Sequence, residues 1–309
     1  MGDFKRCDRP HGLAKVLTKY PEVPMKWVIR SLLVVAVLLC VPRVRAVESV
    51  DIVPDVVYGH KHGMALTFDV FKPKQRANGA GILFMVSGGW YSGWRPPEQT
   101  VRWFKPMLDK GFTVFAVRHG SSAKYVIPEI VEDVRRSVRY IRLHTQEFGV
   151  DPERLGVAGA SAGGHLSLVL GTTSDSGNPE ADDEVLRVSD RVAAVVAYYP
   201  PTDLRPWVSL DSEKAKAFPA LRFDPAKAAA CSPLLHATPD DPPTLLIHGD
   251  QEKLVEIEHS EKILAEFKKN KVTAELIVIK GAGHGFGGED GKHAGEALVA
   301  WFEKHLLKK

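Results

Sequence analysis

The sequence predicts an α/β fold: a mostly parallel sheet covered by helices on both faces, with an antiparallel edge at its N-terminal side. Three observations predict it. Short continuous apolar runs recur along the chain, the mark of strands buried on both faces. Segments of helical periodicity fall between those runs. The first two strand candidates instead alternate apolar and polar residues, as an antiparallel pair with one wet face does.

Residues 47–57 and 64–71 form the alternating pair, with Gly59 and Gly63 turning between them and Thr67 and Asp69 on the wet side. Residues 80–86, Ala-Gly-Ile-Leu-Phe-Met-Val, are the first continuous run, and 112–117, 155–158, 192–197, 244–247 and 274–279 repeat its character. Helices are expected over 98–108, 128–148, 256–269 and 293–307. In the clearest of them Val131, Val134, Val138 and Ile141 recur at helical steps, Arg135, Arg136, Arg139 and Arg142 take other faces, and Pro128 suits the first turn. Two irregular stretches, 172–190 and the proline-rich 200–243, follow strands of the second half, on the side where open α/β sheets bind ligands. The second is expected to form a small lid.

The chain has 309 residues, 44% hydrophobic and 26% charged, enough for a sizeable core. Of its 41 basic and 38 acidic residues, nine basic and three acidic fall in the first 46, so the remainder carries 32 against 35 and gives no reason to expect a nucleic-acid partner. Residues 1–46 read as a signal peptide: a basic Met25-Lys26-Trp27-Val28-Ile29-Arg30, an apolar run over 31–41, and Val44-Arg45-Ala46 for cleavage. Translation is expected to start at Met25. The run is shorter than the ~20 residues of a membrane span, an uncleaved anchor being the alternative. Residues 47–309 are then expected to be one exported domain, periplasmic or extracellular, with no membrane contact after cleavage. Removal of Cys7 and Cys40 leaves Cys231 with no disulfide partner, a small buried residue rather than a nucleophile. Nothing has metal-ligand spacing, so no metal or other cofactor is expected.

Chemistry concentrates in Gly159-Ala160-Ser161-Ala162-Gly163, a Gly-x-Ser-x-Gly turn between the strand 155–158 and a helix that includes 165–169. Such a strained turn lifts a serine hydroxyl above the carboxyl end of a sheet, beside the positive end of the next helix. A serine hydroxyl needs a base to take its proton, and the base needs an acid to orient it. In the chain order Ser, acid, His, the histidine is His284, in a glycine-rich loop between the last strand and the last helix. His119, His165, His236, His248, His259, His293 and His305 fit that place less well. The loop after the strand 244–247 offers two acids, Asp250 and Glu252. Oxyanion donors are expected from the backbone of Gly88, Gly89 and Trp90, which follow the first continuous strand, and from Ala162. Trp90, Tyr91, Trp94 and Trp207 could line a substrate pocket or belong to the core.

With these residues in place the chain resembles the α/β-hydrolase superfamily over residues 50–307, in particular its esterase and lipase branch with a His-Gly-Gly oxyanion motif. It looks most like small secreted esterases related to acetyl and feruloyl xylan esterases and to the prolyl oligopeptidase catalytic domain. The motifs are Gly-Val-Asp151-Pro-Glu-Arg154-Leu, Gly-Ala-Ser161-Ala-Gly-Gly-His, Tyr-Pro-Pro-Thr-Asp203-Leu, His-Gly-Asp250 and Gly-His284-Gly-Phe. Two positions depart from the pattern: Ser87 stands where the oxyanion motif opens with histidine, and Glu252 stands where the acid is usually aspartate. By that correspondence the resemblance implies Ser161, Glu252 and His284 as the triad, with Asp250 as the alternative acid. It implies a secreted serine hydrolase that cleaves carboxylic esters through an acyl-enzyme, with small-molecule or carbohydrate esters as substrates. A peptidase of the prolyl oligopeptidase type and a non-catalytic binding protein on the same scaffold are the competing readings. Ala-Ser161-Ala-Gly-Gly in place of the peptidases' Trp-Ser-Tyr-Gly-Gly favours the esterase.

Overall fold

A computed structural model describes residues 49–209 and 212–307, so the expected signal peptide lies outside the described residues. Eight strands form one sheet in the order β1-β2-β4-β3-β5-β6-β7-β8. They are β1 (Val50–Lys61), β2 (Met64–Pro73), β3 (Gly81–Met85), β4 (Thr113–Val117), β5 (Leu155–Ala160), β6 (Ala194–Tyr198), β7 (Thr244–Gly249) and β8 (Ala274–Ile279). β2 pairs antiparallel with both β1 and β4, and every other pairing is parallel. The helices are α1 (Pro97–Leu108), α2 (Ile127–Leu143), the single turn α3 (Thr145–Phe148), α4 (Ala162–Thr172), the short α5 (Glu213–Ala217), α6 (Glu258–Lys269) and α7 (Gly288–Leu306).

Because side chains alternate along a strand, the sheet builds two cores. Leu83, Phe115, Val157 and Leu246 point to the face covered by α2, α4 and α6. Ile82, Val114, Ala158 and Leu245 point to the face covered by α1 and α7. The continuous apolar runs from β3 to β7 are thus strands buried on both sides, as the sequence predicts, whereas β8, at the sheet edge, leaves Glu275 and Val278 exposed.

The last helix, expected from 293, begins at Gly288, and three further details differ from expectation. The first hairpin turns at His62 and Gly63, both at positive φ (46° and 80°), while Gly59 lies inside β1 at a register shift. A side chain at Gly59 would strike Arg136, whose Nε donates to the Tyr58 carbonyl at 2.9 Å. Second, Asp69 is not on a wet face but is 2% exposed. Arg118, just beyond β4, folds back over β2 and donates to its Oδ2 at 2.6 Å, and the Asp55 amide donates to Oδ1 at 2.9 Å. Third, the expected helix 128–148 breaks at His144 into α2 and α3.

The arginines of α2 pin the irregular stretch after α4. Arg135 reaches the fully buried Asp190 and the Thr173 carbonyl, Arg136 pairs with Asp183, and Arg139 holds Asp175 at 2.7 Å. The proline-rich stretch carries α5 and four short 3-10 turns, and its Leu204, Trp207, Ala215 and Leu221 join the α2/α4/α6 core. Breaking a buried pair strands the surviving charge. Asp69→Ala is therefore expected to cost about 3–5 kcal/mol, read from urea midpoints; a loss under about 1 kcal/mol would mean that Arg118 is satisfied by Asp55 alone.

Candidate active site

Parallel strands deliver their following loops to one edge of the sheet, and the residues singled out in the sequence gather there. β5 ends at Ala160, and Ser161 follows at φ 55° and ψ −118°, a backbone conformation that L-residues adopt only under strain. The strain is held in place by two main-chain bonds, from the Ser161 amide to the Tyr198 carbonyl and from the His165 amide to the Ser161 carbonyl, both 2.9 Å. A Cβ on Gly159 would lie 2.4 Å from the Gly163 carbonyl group, so the turn closes only with glycine there. Gly159→Ala is expected to cost about 3 kcal/mol or more, whereas Gly93→Ala, whose Cβ would meet open space, stays near neutral; equal denaturation midpoints for the two variants would contradict this account of the turn. Among the described residues no hydrogen bond occupies the Ser161 hydroxyl.

The structure brings His284 to Glu252, not to Asp250. His284 Nδ1 and Glu252 Oε2 lie 2.6 Å apart, with the Glu252 side chain fully buried. Glu252 Oε1 accepts from the Leu254 amide at 2.6 Å and the Val255 amide at 3.3 Å. Burial pushes the Glu252 pKa up, but these amide bonds and the imidazole outweigh it and hold the carboxyl below its ordinary value. Asp250 turns the other way. Its Oδ1 accepts from the Gly281 amide at 2.6 Å and so ties the β7 loop to the loop that carries His284. The added methylene of Glu252 lets the carboxyl fold back over its own loop and still reach the ring.

The turn after β3 requires one correction. The Gly88 amide, expected among the oxyanion donors, donates to the Tyr91 carbonyl at 3.0 Å, and the Tyr91 amide returns the bond to Gly88. Gly89 and Trp90 form the two central residues of this tight turn, at φ 56° and 60°. The turn closes through the Tyr91 amide, the reciprocal bond of the bridge consumes the Gly88 amide, and the two central amides are left out of both. Gly89, Trp90 and Ala162, the first residue of α4, remain as donors without main-chain partners among the described residues.

Two buried histidines grip this turn, a role not read from the sequence. His119 Nδ1 donates to the Gly120 carbonyl at 2.9 Å, which leaves Nε2 to accept from the Ser87 hydroxyl at 2.9 Å. His165 Nε2 donates to the Cys231 carbonyl at 2.8 Å, which leaves Nδ1 to accept from the Trp90 indole at 3.3 Å. Burial lowers each ring to about 4. So where the resembled motif has histidine, Ser87 meets a histidine brought by the neighbouring strand β4. Ser92 adds bonds to the Val86 carbonyl and the Ser121 hydroxyl. Trp90 and Trp207 are core residues, 2% and 8% exposed, while Tyr91 and Trp94 are 48% and 58% exposed beside the turn. Burial pushes the Cys231 thiol up to about 11, far from a nucleophile's range.

His248 and Tyr199 also escaped sequence reasoning. His248 bridges the Ser260 hydroxyl and the Val255 carbonyl, both at 2.8 Å, and so steadies the Glu252 loop. Tyr199, at φ 35°, packs its ring 4.7 Å from that of His284. The prolines that follow it are the available signal, since they restrict the chain where it leaves β6.

Burial holds His119, His165 and His259 at about 4, below the ordinary 6.5. Between those values the unfolded chain binds more protons than the folded one, so stability falls as pH drops from 6.5 towards 4. The thermal midpoint is expected to fall by about 5 °C or more between pH 7 and pH 5, and a midpoint constant over that range would contradict neutral buried rings.

A serine on a strained strand-to-helix turn, followed along the chain by an acid after β7 and a histidine after β8, is the order in which one class of fold presents its chemistry. That class is the α/β-hydrolases. The chain belongs to the BD-FAE family, whose profile matches residues 68–267. It is 24% identical over 224 residues to the probable carboxylic ester hydrolase LipM of Mycobacterium tuberculosis, covering 70% of this chain and 51% of LipM. It is 27% identical over 259 residues to esterase LipC of the same organism, covering 79% of this chain and 62% of LipC. The chain thus spans about half to three-fifths of the length of these curated relatives. The acetyl ester-xyloside bifunctional hydrolase of Caldicellulosiruptor lactoaceticus shares the fold, with a TM-score of 0.70 at 24% identity over 81% of this chain and 95% of that one.

Proposed function

We propose that the protein is a serine carboxylic ester hydrolase. Ser161 Oγ attacks the ester carbonyl as its proton passes to His284 Nε2, and the carbonyl electrons collect on an oxygen held by the Ala162 amide and those of Gly89 or Trp90. His284 then gives the proton to the departing alkoxide, which leaves as the alcohol. Water, deprotonated by the same ring, releases the acid and restores Ser161. Glu252 keeps Nδ1 protonated and stabilises the imidazolium that forms. The observation that carries the reading is the 2.6 Å contact between His284 and a buried, ionised Glu252, which leaves Nε2 as the base. The names of LipM and LipC support ester hydrolysis over peptide cleavage.

The narrower reading is an acyl group on a carbohydrate. The exposed rings of Tyr91 and Trp94 favour it, since flat aromatic faces suit pyranose rings. The likeness to a hydrolase named for both acetyl esters and xylosides supports it as well. We assign residues 1–46 to a signal peptide and the remainder to one exported catalytic domain; the intact N-terminus on protein recovered outside the cytoplasm would refute cleavage.

The test of function is a panel of nitrophenyl esters from acetyl to decanoyl, acetylated xylan, methyl ferulate and aminoacyl nitroanilides, with fluorophosphonate labelling mapped by mass spectrometry. Ester turnover and label on Ser161 are expected. Anilide cleavage without ester cleavage would make it a peptidase, and an unlabelled, inactive protein would make it a binding scaffold.

A further inference from the structure

On the α1/α7 face of the sheet, a cleft of about 270 Å³ opens at the edge where the candidate active site lies. Its floor is Phe84, Ala160 and Tyr198, and Ala160 is the residue before Ser161. Its upper end is Tyr199 and Phe286, which pack edge to face with centroids 5.3 Å apart, and Tyr199 in turn rests against the His284 ring. The cleft is therefore lined by the residue that precedes the nucleophile and by the ring that packs on the base. From α1, Trp103 lines it while 51% exposed among the described residues, with the Arg95 guanidinium 5.8 Å from its ring.

The helix on the opposite wall is built in a way that packing among the described residues does not explain. α7 lines the cleft with Gly291, Ala294 and Gly295. A glycine inside a helix costs about 1 kcal/mol relative to alanine. Gly291 has a reason, since a Cβ there would meet the Phe286 carbonyl at 3.1 Å. Gly295 has none among the described residues: a Cβ there would find none of their atoms within 4 Å. The missing side chain leaves room for something that the described residues do not supply. That something is mainly apolar, because most of the lining side chains are apolar, the Tyr198 hydroxyl is already bonded to the Ala294 carbonyl at 3.1 Å, and among the described residues no charged side chain lines the cleft. The volume lies just under the ~300 Å³ at which small-ligand pockets begin, the scale of one alkyl or aryl group rather than a chain of sugars.

We propose that this cleft is a substrate subsite for an apolar alkyl or aryl group of the ester, with Trp103 and Gly295 as specificity-determining residues. The inference rests on the ester-hydrolase reading above. An aryl or alkyl group can belong to the acid or to the alcohol of the ester, and the experiment separates the two.

The test uses Gly295→Leu, which adds a helix-favouring side chain into open space and so preserves the fold. Its kcat/KM is compared with wild type across an acyl series (acetyl to decanoyl esters of one alcohol) and an alcohol series (methyl to phenylpropyl esters of acetate). At least a tenfold loss is expected for the bulky members of one series, with methyl acetate unchanged; the series affected names the half of the ester that enters. A uniform profile in both would overturn the proposal. A readout independent of turnover is titration of Ser161→Ala with octanoate and with 3-phenylpropanol, followed by the fluorescence change lost in Trp103→Phe. Saturable binding abolished by Gly295→Leu is expected even if no ester is hydrolysed, and neither probe binding would sink the subsite while leaving the ester reading to its own panel.

Discussion

Ser161→Ala is expected to lower kcat for ester hydrolysis by at least ~10⁴-fold. Without the hydroxyl there is no acyl-enzyme, and only the oxyanion donors and substrate binding remain to favour water's attack. The Gly89, Trp90 and Ala162 amides are main-chain groups, so the substitution leaves them in place, and KM for a good ester should stay within a few-fold. The positive φ at Ser161 is a strain that alanine inherits, so melting curves accompany the kinetics. Retention of more than about 1% of wild-type kcat by a folded Ser161→Ala protein would place the nucleophile elsewhere.

Glu252→Gln is expected to cost about 10³–10⁴-fold in kcat, and Asp250→Asn no more than about tenfold. The size of the first effect follows from which atoms hold the side chain. The Leu254 and Val255 amides bind Oε1 and require an acceptor there. A glutamine must therefore keep its oxygen at that end and turn its NH₂ towards His284 Nδ1. Nδ1 then has to accept, the ring proton moves to Nε2, and the base cannot take the proton of Ser161. Asp250→Asn keeps an oxygen for the Gly281 amide and leaves the ring untouched. Because the Glu252 carboxyl is held below its ordinary value, its contribution is complete above that value and is lost only as pH falls through the lowered one. The acid arm of the pH profile should therefore not report Glu252. Equal losses in the two variants, or a larger loss in Asp250→Asn, would overturn this assignment.

Much of this site was legible because the features that carry it are local. A strand, a strained turn and a helix within 155–172 suffice to mark Ser161, and the order of loops along the chain suffices to mark His284. Loop position by itself left two acids, Asp250 and Glu252, which differ in where their carboxyls end; the family correspondence pointed to Glu252, and the 2.6 Å contact with His284 agrees with it. Gly88 was misread because a donor's availability depends on the closure of the turn, which the 3.0 Å bond to Tyr91 decides. His119 and His165 offered only a residue type. Nothing near them in sequence shows that one meets Ser87 and the other Trp90, which are 32 and 75 residues away.

Hydrophobic periodicity, glycine spacing and chain order by themselves determined the strand and helix sequence, the parallel sheet and the position of the elbow, because each depends on residues within a few turns of one another. Tertiary structure alone decided how Glu252 and Asp250 divide their partners, which amides stay free, that Asp69 is buried beneath Arg118, and that α1 and α7 leave a cleft beside Ala160. Each of those is a contact between segments far apart in the chain, and its energy depends on distance and burial, which exist only once the sheet has brought the segments to one edge.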